Sequence, residues 1–240
     1  MWTRADRPLV IAHRGASARA PENTLAAFEL AARLGADAIE LDAQRCASGE
    51  VVVLHDDTLA RTTGRVGLLR ETAWNVLRTL DAGRGERIPL LAEVLAQTPP
   101  TLLVNVELKC DDLDDRGLTA ATLRVIAAGG AEERVLLSSF NPLCLFRART
   151  LAPRLPRALL FERSAPWPLR RALAAGPLGA VALHPQAVLA SEAAVRGWRA
   201  RGYAVAAWTV DDVEQARRLW RWGATGIITN VPDAMLAAFR

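Results

Sequence analysis

The sequence predicts an α/β protein in which eight parallel strands, each followed by a helix, close into a barrel. Short β-branched or apolar segments alternate with longer Ala-, Leu- and Arg-rich segments that have helical spacing. The length of 240 residues is close to the ~250 typical of such a (β/α)8, or TIM, barrel. The alternative is a doubly wound open sheet, which usually has a glycine-rich turn after its first strand, and the sequence shows no such turn.

Individual elements follow from these patterns. The predicted strands cover residues 8–13, 36–43, 101–109, 134–140, 157–162, 179–185, 203–210 and 226–230. The predicted helices cover residues 23–34, 117–128, 142–151, 168–175, 191–201, 211–222 and 232–239. The first helix has signals at both ends, because Asn23 and Thr24 can cap its start and Gly35 can end it.

The segment 46–100 interrupts the alternation between the second and third strands. It contains a strand-like run, VVVLH, behind a Ser-Gly turn, and an apolar helix within IPLLAEVLAQTP. We interpret residues from about 46 to 88 as a small insertion at the barrel rim, and the apolar helix as the second barrel helix. The whole chain, 1–240, is then predicted to be a single domain.

The composition argues against several classes of protein. The formal net charge is +4, but the arginines are scattered and no basic block is present, so a nucleic-acid partner is not expected. The cysteines Cys46, Cys110 and Cys144 lack a C-x-x-C spacing, which argues against a disulfide framework and a zinc site. No run approaches the ~20 apolar residues that span a bilayer, and the N-terminus has no signal-peptide core. We expect a cytoplasmic monomer or homodimer without stable membrane association.

Charged residues lie at the ends of the first three barrel strands, where this fold places its working groups. They are His13 and Arg14 on the first strand, Glu40 and Asp42 on the second, and Glu107 and Lys109 on the third. The insertion adds His55. Residues two apart on a strand share a face, so both pairs should point the same way, toward the barrel mouth.

This set of charges suggests a reaction. Three carboxylates without a thiol favour a hard divalent cation, Mg²⁺ or Ca²⁺, over zinc. The carboxylates and the cation sum to −1, and Arg14 and Lys109 bring the site to +1, which a singly charged phosphodiester would neutralise. His13 and His55 can then supply the acid and the base for cleavage of a P–O bond.

Lys109 is the single lysine among the 30 basic residues. An ammonium group is a compact charge, whereas a guanidinium group is a wide planar fork. At an inward-facing position beside Glu107, the compact cation should fit where arginine would not.

These motifs, in this order, resemble those of the glycerophosphodiester phosphodiesterase family. The resemblance runs from IAHRGASARAPENTLAAF through AIELDAQR and VVVLHDDTLART to NVELK, and resumes at LSSFNP, AAWTV and ITNVPDAM. It implies a TIM barrel with a small insertion after the second strand. Family enzymes cleave glycerophosphodiesters to sn-glycerol 3-phosphate and an alcohol, by attack of a glycerol hydroxyl on phosphorus and hydrolysis of the resulting cyclic phosphate.

The resemblance also implies roles for individual residues. It implies a divalent metal held by three carboxylates, an acid/base pair of histidines, and two cationic phosphate ligands: Glu40, Asp42 and Glu107; His13 and His55; Arg14 and Lys109. Trp208 matches a family aromatic on the glycerol side of the site, and Phe140 has a similar position; core packing is the alternative for both. The family commonly has Thr-Asp where this chain has Thr229-Asn230, so that acidic charge is absent here. His184 is expected to cap its strand rather than to contact substrate.

Two other functions stay open at this point. A lysophospholipase D-type enzyme would use the same site but would have to admit an acyl chain. A catalytically silent barrel would bind phosphate esters without cleaving them, and it should have lost a metal ligand or a histidine. Every matching position is filled here, which disfavours the silent barrel.

Overall fold

The computed structural model describes residues 2, 4, 6–110 and 112–239. Its strands are β1 (Leu9–His13), β2 (Ala38–Arg45), β3 (Val51–Val53), β4 (Leu103–Leu108), β5 (Val135–Ser139), β6 (Arg157–Phe161), β7 (Ala182–Pro185), β8 (Ala204–Ala207) and β9 (Gly226–Thr229). Its helices are α1 (Leu25–Leu34), α2 (Ala60–Thr63), α3 (Trp74–Leu77), α4 (Leu91–Gln97), α5 (Leu118–Ala128), α6 (Pro142–Leu151), α7 (Trp167–Arg170), α8 (Glu192–Ala200), α9 (Val213–Arg221) and α10 (Pro232–Ala238).

Eight of the strands form a closed parallel barrel. The strand order is β1-β9-β8-β7-β6-β5-β4-β2, and the parallel pairing of β1 with β2 closes the ring. β3 lies outside the ring, antiparallel to the end of β2. The helices cover the outside of the barrel through two large apolar clusters. The predicted TIM barrel is therefore confirmed.

One predicted helix is wrong. Residues 168–175 were expected to be helical, but only the single turn α7 forms there. Ala172 adopts a φ of 53°, a left-handed conformation that an L-residue cannot continue into a right-handed helix. Arg201 also donates hydrogen bonds to the carbonyl oxygens of Arg171 and Ala172, so contacts outside the segment satisfy its backbone.

The barrel interior is filled by side chains from alternate strand positions. An apolar cluster occupies its lower part, with Trp2 packed against it: Leu9, Ile11, Ala38, Leu103, Ala206 and Ile228. The buried polar side chains that have atoms without a hydrogen-bond partner among the described residues include Asn105, Ser138 and His184. The mouth of the barrel carries the charged residues of the first three barrel strands.

His184 does not cap its strand. Its side chain is 2% exposed, and burial lowers its pKa to about 3, so the imidazole is neutral. The contact at this residue is made by its main chain, because the carbonyl oxygen accepts a hydrogen bond from Trp208 Nε1 at 2.8 Å. His184 therefore supports the aromatic wall of the mouth through its backbone.

The segment between β2 and α4 has its own apolar cluster. The cluster contains Cys46, Val52, Leu54, Leu59, Leu69, Leu77, Ala82 and Ile88. Gln44, near the end of β2, donates from Nε2 to the carbonyl oxygens of Leu54, His55 and Asp56 at 2.8, 3.0 and 3.0 Å. This threefold contact fixes the backbone that carries His55 against the barrel.

Two further observations concern the chain as a whole. Cys46, Cys110 and Cys144 are free thiols, as expected from their spacing. Among the described residues, no helix combines the length and the apolar character that crossing a bilayer requires.

Candidate active site

The mouth of the barrel contains a cavity of about 360 Å³. It is lined by His13, Arg14, Glu40, His55, Asn105, Glu107, Lys109, Phe140, Leu160, Glu162, Trp208 and Ile228. Eight of the nine residues singled out in the sequence thus face one space. The ninth, Asp42, is 1% exposed and lies behind the cavity wall, in contact with Arg14 and Lys109. A larger groove at the base of the barrel, around Trp2 and Leu151, contains none of these residues.

The three carboxylates form a compact acidic cluster. Ligand oxygens of Glu40, Asp42 and Glu107 all lie within 4.8 Å of one another, and the three residues are buried. Burial, followed by the charge of Asp42, raises the pKa of Glu40 to about 8, and the same two causes raise the pKa of Glu107 to about 8. An oxygen-only set of this kind suits a hard divalent cation, whose charge would remove the repulsion. The residues present therefore fit a metal ion.

Two basic side chains partly compensate these negative charges. Arg14 Nε lies 3.2 Å from Asp42 Oδ2, and Lys109 Nζ lies 3.0 Å from Glu107 Oε1 and 3.7 Å from Asp42 Oδ1. Burial alone would lower the pKa of Lys109, but Glu107 and Asp42 outweigh it, and the net shift is upward. Lys109 therefore stays charged next to the acidic cluster.

A tight turn after β1 places Arg14. Arg14 has a φ of 55° and Gly15 a φ of 80°, and the turn directs the backbone N–H of Arg14 to Glu40 Oε2 at 3.0 Å. A Cβ atom at Gly15 would lie 2.7 Å from the carbonyl carbon of Ala27, so α1 packs directly against this glycine. The HRG motif is thus required by backbone conformation as well as by chemistry.

The PENT motif supports the acidic cluster from behind. Asn23 has a φ of 58°, and its Nδ2 donates to Asp42 Oδ2 at 2.8 Å while its Oδ1 accepts from the Asp42 backbone N–H at 3.3 Å. Thr24, the next residue, caps α1 by accepting a hydrogen bond from the backbone of Ala27. Asn23 therefore orients a carboxylate of the acidic cluster, a role that sequence reasoning missed.

Asn230 holds His13 in one orientation. His13 Nδ1 lies 2.8 Å from Asn230 Oδ1, and Asn230 Nδ2 donates to Asp211 Oδ2 at 2.7 Å. The carboxylate of Asp211 fixes the amide nitrogen on its own side, so the amide oxygen faces His13, and His13 Nδ1–H is the donor. Burial, with a further contribution from Arg14, lowers the pKa of His13. Burial thus favours the neutral imidazole, and its Nε2, 4.0 Å from Glu40 Oε2, forms no hydrogen bond among the described residues.

His55 is oriented by charged residues of the insertion. Its Nδ1 lies 2.7 Å from Asp56 Oδ1. Arg61 holds the pKa of Asp56 at about 2, so Asp56 is a carboxylate that accepts the Nδ1–H of His55. Arg61 also pairs with Glu22, which pairs in turn with Arg14 at 2.9 Å. A chain of ion pairs thus connects the insertion to the turn after β1.

Two aromatic rings form one wall of the cavity. Phe140 and Trp208 meet edge to face, with their ring centroids 5.4 Å apart. Lys109 Nζ lies 6.0 Å from the centroid of Phe140. The rings thus present apolar surface directly beside the cationic groups.

We expect cation binding to this cluster to depend on pH. The pKa values of Glu40 and Glu107 are raised from 4.5 to about 8, so the metal-free protein holds protons there that a cation must displace. Affinity for a divalent cation should rise by up to about tenfold per pH unit for each displaced proton between pH 5 and 8, and level off above. These bound protons also stabilise the metal-free protein against unfolding. Their contribution is fully present below pH 4.5 and is lost as the pH rises through about 8. Titration calorimetry at pH 6, 7 and 8 would measure this dependence, and a pH-independent affinity would contradict it.

Comparisons with known proteins identify the family of this chain. A model of the glycerophosphoryl diester phosphodiesterase family matches residues 13–234. A glycerophosphodiester phosphodiesterase of Caldanaerobacter subterraneus subsp. tengcongensis is 38% identical and covers 98% of both chains. One from Bacillus subtilis is 30% identical and covers 95% of this chain and 85% of that one.

The solved structures agree. An Oleispira antarctica phosphodiesterase in complex with the product sn-glycerol-3-phosphate is 33% identical, has a TM-score of 0.88, and covers 97% of this chain and 96% of that one. The match extends over nearly the whole of both sequences. The chain therefore belongs to the glycerophosphoryl diester phosphodiesterase family, and its activity is that of a glycerophosphodiester phosphodiesterase.

Proposed function

We propose that the enzyme hydrolyses glycerophosphocholine, glycerophosphoethanolamine and similar diesters to sn-glycerol 3-phosphate and an alcohol, with His13 and His55 as the acid/base pair. One observation carries the proposal. Both histidines line a single cavity and each has its Nδ1 engaged by an acceptor, so each directs a free Nε2 away from its support. The proposed cofactor is one Mg²⁺ or Ca²⁺ ion held by Glu40, Asp42 and Glu107.

The cations of the site bind the phosphate. Arg14 and Lys109 line the cavity and would contact the anionic oxygens of the diester. When bound, the metal ion acts as a Lewis acid toward the phosphoryl group. The glycerol moiety lies within reach of Trp208 and Phe140, which form the apolar wall.

The two histidines move the protons. One Nε2 takes the proton of a glycerol hydroxyl as its oxygen attacks phosphorus, and the other histidine protonates the alcohol oxygen as its P–O bond breaks. The resulting cyclic phosphate is opened by water. In that second step the histidines exchange roles, and the product is glycerol phosphate.

Acidic residues favour a cationic alcohol. The sequence DDLDD, 111–115, follows Lys109 closely at the end of β4, and Glu162 lines the cavity. These groups lead us to propose that diesters of cationic alcohols are preferred over glycerophosphoglycerol.

Lysophospholipase D-type activity is the second candidate. Leu113 is 81% exposed in the loop after β4, and Leu143 and Phe146 are 39% and 54% exposed on α6, which follows β5. The preceding strand ends lead to the site residues Lys109 and Phe140, so an acyl chain could lie on this apolar surface. Higher kcat/KM on lysophosphatidylcholine than on glycerophosphocholine would favour this candidate.

We also propose that the chain works as one domain, 1–240, in the cytoplasm, as a monomer or homodimer. In this view residues from about 46 to 88 are an insertion whose purpose is to carry His55 to the mouth.

The test is release of glycerol 3-phosphate from glycerophosphocholine by protein stripped with EDTA and then given Mg²⁺ or Ca²⁺. Turnover that chelation abolishes and one of the ions restores would support the proposal and identify a competent ion. A folded protein that stays inactive with both ions would overturn the proposed substrate and cofactor.

The Asn230→Asp variant is expected to shift the acid limb of the pH–rate profile to higher pH. A carboxylate at 2.8 Å from His13 Nδ1 favours the imidazolium and so raises the pKa of His13, and the neutral base is then lost at a higher pH. The kcat/KM profile from pH 5 to 9 would measure the shift. Asn141→Asp, a matched change at the N-cap of α6, should leave the limb in place.

A further inference from the structure

Trp167 is unusual among the tryptophans of this protein. It is 63% exposed, while the other six are buried or half-buried. Pro166 and Pro168 flank it and limit its backbone freedom. A large aromatic side chain that a rigid segment holds in solvent indicates a contact with something outside the chain.

The surroundings of Trp167 are basic. The segment 163–176 contains three arginines and no acidic residue, and these arginines, Arg163, Arg170 and Arg171, are all exposed. A groove between α7 and α8 brings in a fourth, Arg201, whose guanidinium lies by the backbone of Arg171 and Ala172. We call these four arginines with Trp167 the basic tryptophan surface.

The neighbouring carboxylates do not neutralise this surface. Glu162 lines the site cavity and accepts a hydrogen bond from Ser164, and Glu192 pairs with Arg196 at 2.9 Å. Arg163, Arg170, Arg171 and Arg201 form no ion pair among the described residues. The positive charge is therefore available to an anionic partner.

The surface begins next to the active site. Glu162, one residue before Arg163, lines the cavity, and the backbone N–H of Arg163 donates to Gln186 Oε1 at 3.0 Å. The next residue, Ala187, donates its backbone N–H to the carbonyl oxygen of Trp208 at 2.6 Å. Val188 is 61% exposed on the same short segment. One end of this surface, at Arg163 and Trp167, therefore lies beside the mouth, and the groove along α8 extends from there to Arg201 at the C-terminal end of that helix.

We propose that the basic tryptophan surface docks the enzyme reversibly on a bilayer that contains anionic phospholipids. Tryptophan prefers the headgroup region of a bilayer, and arginines near an anionic surface add electrostatic attraction that salt weakens. Leu113, an exposed apolar residue after β4, is unsuited to this role, because acidic residues surround it in the sequence DDLDD. The mouth would thus lie next to the membrane that supplies lipid-derived diesters.

The experiment is sedimentation of the full chain with vesicles at 0.1 M salt, without measurement of turnover. Equimolar phosphatidylglycerol and phosphatidylcholine vesicles should bind the protein, and pure phosphatidylcholine vesicles should bind it much less. Arg170→Glu/Arg171→Glu should weaken binding by about thirtyfold or more, since each arginine contributes about a fivefold gain in partitioning. Trp167→Ser should weaken it by about tenfold.

A matched control comes from α9, which also carries an arginine pair and a nearby tryptophan. Arg217→Glu/Arg218→Glu removes the same net charge from exposed positions and should stay within about twofold of wild type, because a specific surface and not net charge sets the binding. Equal losses in both double variants would overturn the proposal, as would absence of binding to the anionic vesicles. Binding to a single-stranded oligonucleotide with the same sensitivity to Arg170 and Arg171 would overturn the lipid assignment. Because no outcome depends on turnover, the phosphodiesterase function is tested separately.

Discussion

Replacing His13 by glutamine is expected to lower kcat on glycerophosphocholine by about 10²–10⁴-fold, the usual contribution of one general acid or base. Glutamine keeps a hydrogen-bonding side chain in the cavity but cannot carry the proton that Nε2 carries. His13 Nδ1 is already hydrogen-bonded to Asn230, so Nε2 is the nitrogen that can transfer a proton to or from the substrate. Steady-state kinetics between pH 6 and 9 would measure the loss.

The same variant can separate the acid from the base. A glycerophosphodiester with p-nitrophenol as its alcohol has a leaving group that needs little protonation, so loss of the general acid costs less on this ester. His13→Gln and His55→Gln should therefore differ on this ester. The variant that lacks the general acid should recover rate relative to glycerophosphocholine, and the variant that lacks the general base should not. His184→Gln is the matched control, because His184 does not line the cavity and should keep kcat within about threefold. A decrease below tenfold for His13→Gln would sink its assignment.

Replacing Glu40 by glutamine should have opposite effects on activity and on stability. Loss of one carboxylate should abolish measurable divalent-cation binding and lower kcat by about 10³-fold or more, because a bound metal supplies several kcal/mol of transition-state stabilisation. The metal-free protein should become more stable at pH 8, since the substitution removes a carboxylate whose charged form is disfavoured by burial and by Asp42, the two causes that raise the pKa of Glu40 to about 8. A gain of about 1 kcal/mol would raise Tm by about 2–4 °C.

Thermal unfolding with and without 5 mM Mg²⁺ or Ca²⁺ would check both effects. Wild-type protein should gain Tm on adding the competent cation, and the variant should not. Glu29→Gln on α1, an exposed glutamate whose side chain is 50% accessible, serves as the control and should change neither property. A Glu40→Gln protein whose Tm falls without metal would contradict the stated origin of the raised pKa.

The fold could be predicted because two periodicities alternate along the chain. Apolar strands such as LVIAH and VLLSS are buried on both faces, and the intervening helices have apolar stripes with arginine outside. The same reasoning failed at residues 168–175, where the spacing was helical but a left-handed residue and contacts from Arg201 ended the helix after one turn. The spacing of apolar residues within 168–175 does not reveal that Arg201, thirty residues further along the chain, binds the backbone of Arg171.

In the active site, pairs of residues that are close in sequence could be predicted, whereas pairs that the fold brings together could not. Glu40 with Asp42, and Glu107 with Lys109, are two apart on or next to a strand, and a period of two is visible in any sequence. Asn230 with Asp211, and Glu22 with Arg61, meet only because the barrel brings separate loops together. Gln44 is another residue of this kind, because its importance lies in three backbone carbonyls. These residues act through others. Glu22 and Asn230 lie in recognisable motifs, but the sequence does not show which residues they contact, and Gln44, Arg61 and Asp211 lie in no catalytic pattern.

The proposed acid/base pair is divided between the barrel and a segment that packs around its own apolar cluster. His13 belongs to the barrel, whereas His55 belongs to a segment with its own apolar cluster, attached by Gln44 and by the Glu22–Arg61 ion pair. Exchange of that segment between related enzymes would therefore transfer half of the pair intact, provided that these two attachments are kept. Beyond Arg61, the exposed residues that lie outside this apolar cluster can diverge without loss of either attachment. The architecture thus allows the substrate range to evolve by recombination at the rim while the chemistry of the barrel is inherited unchanged.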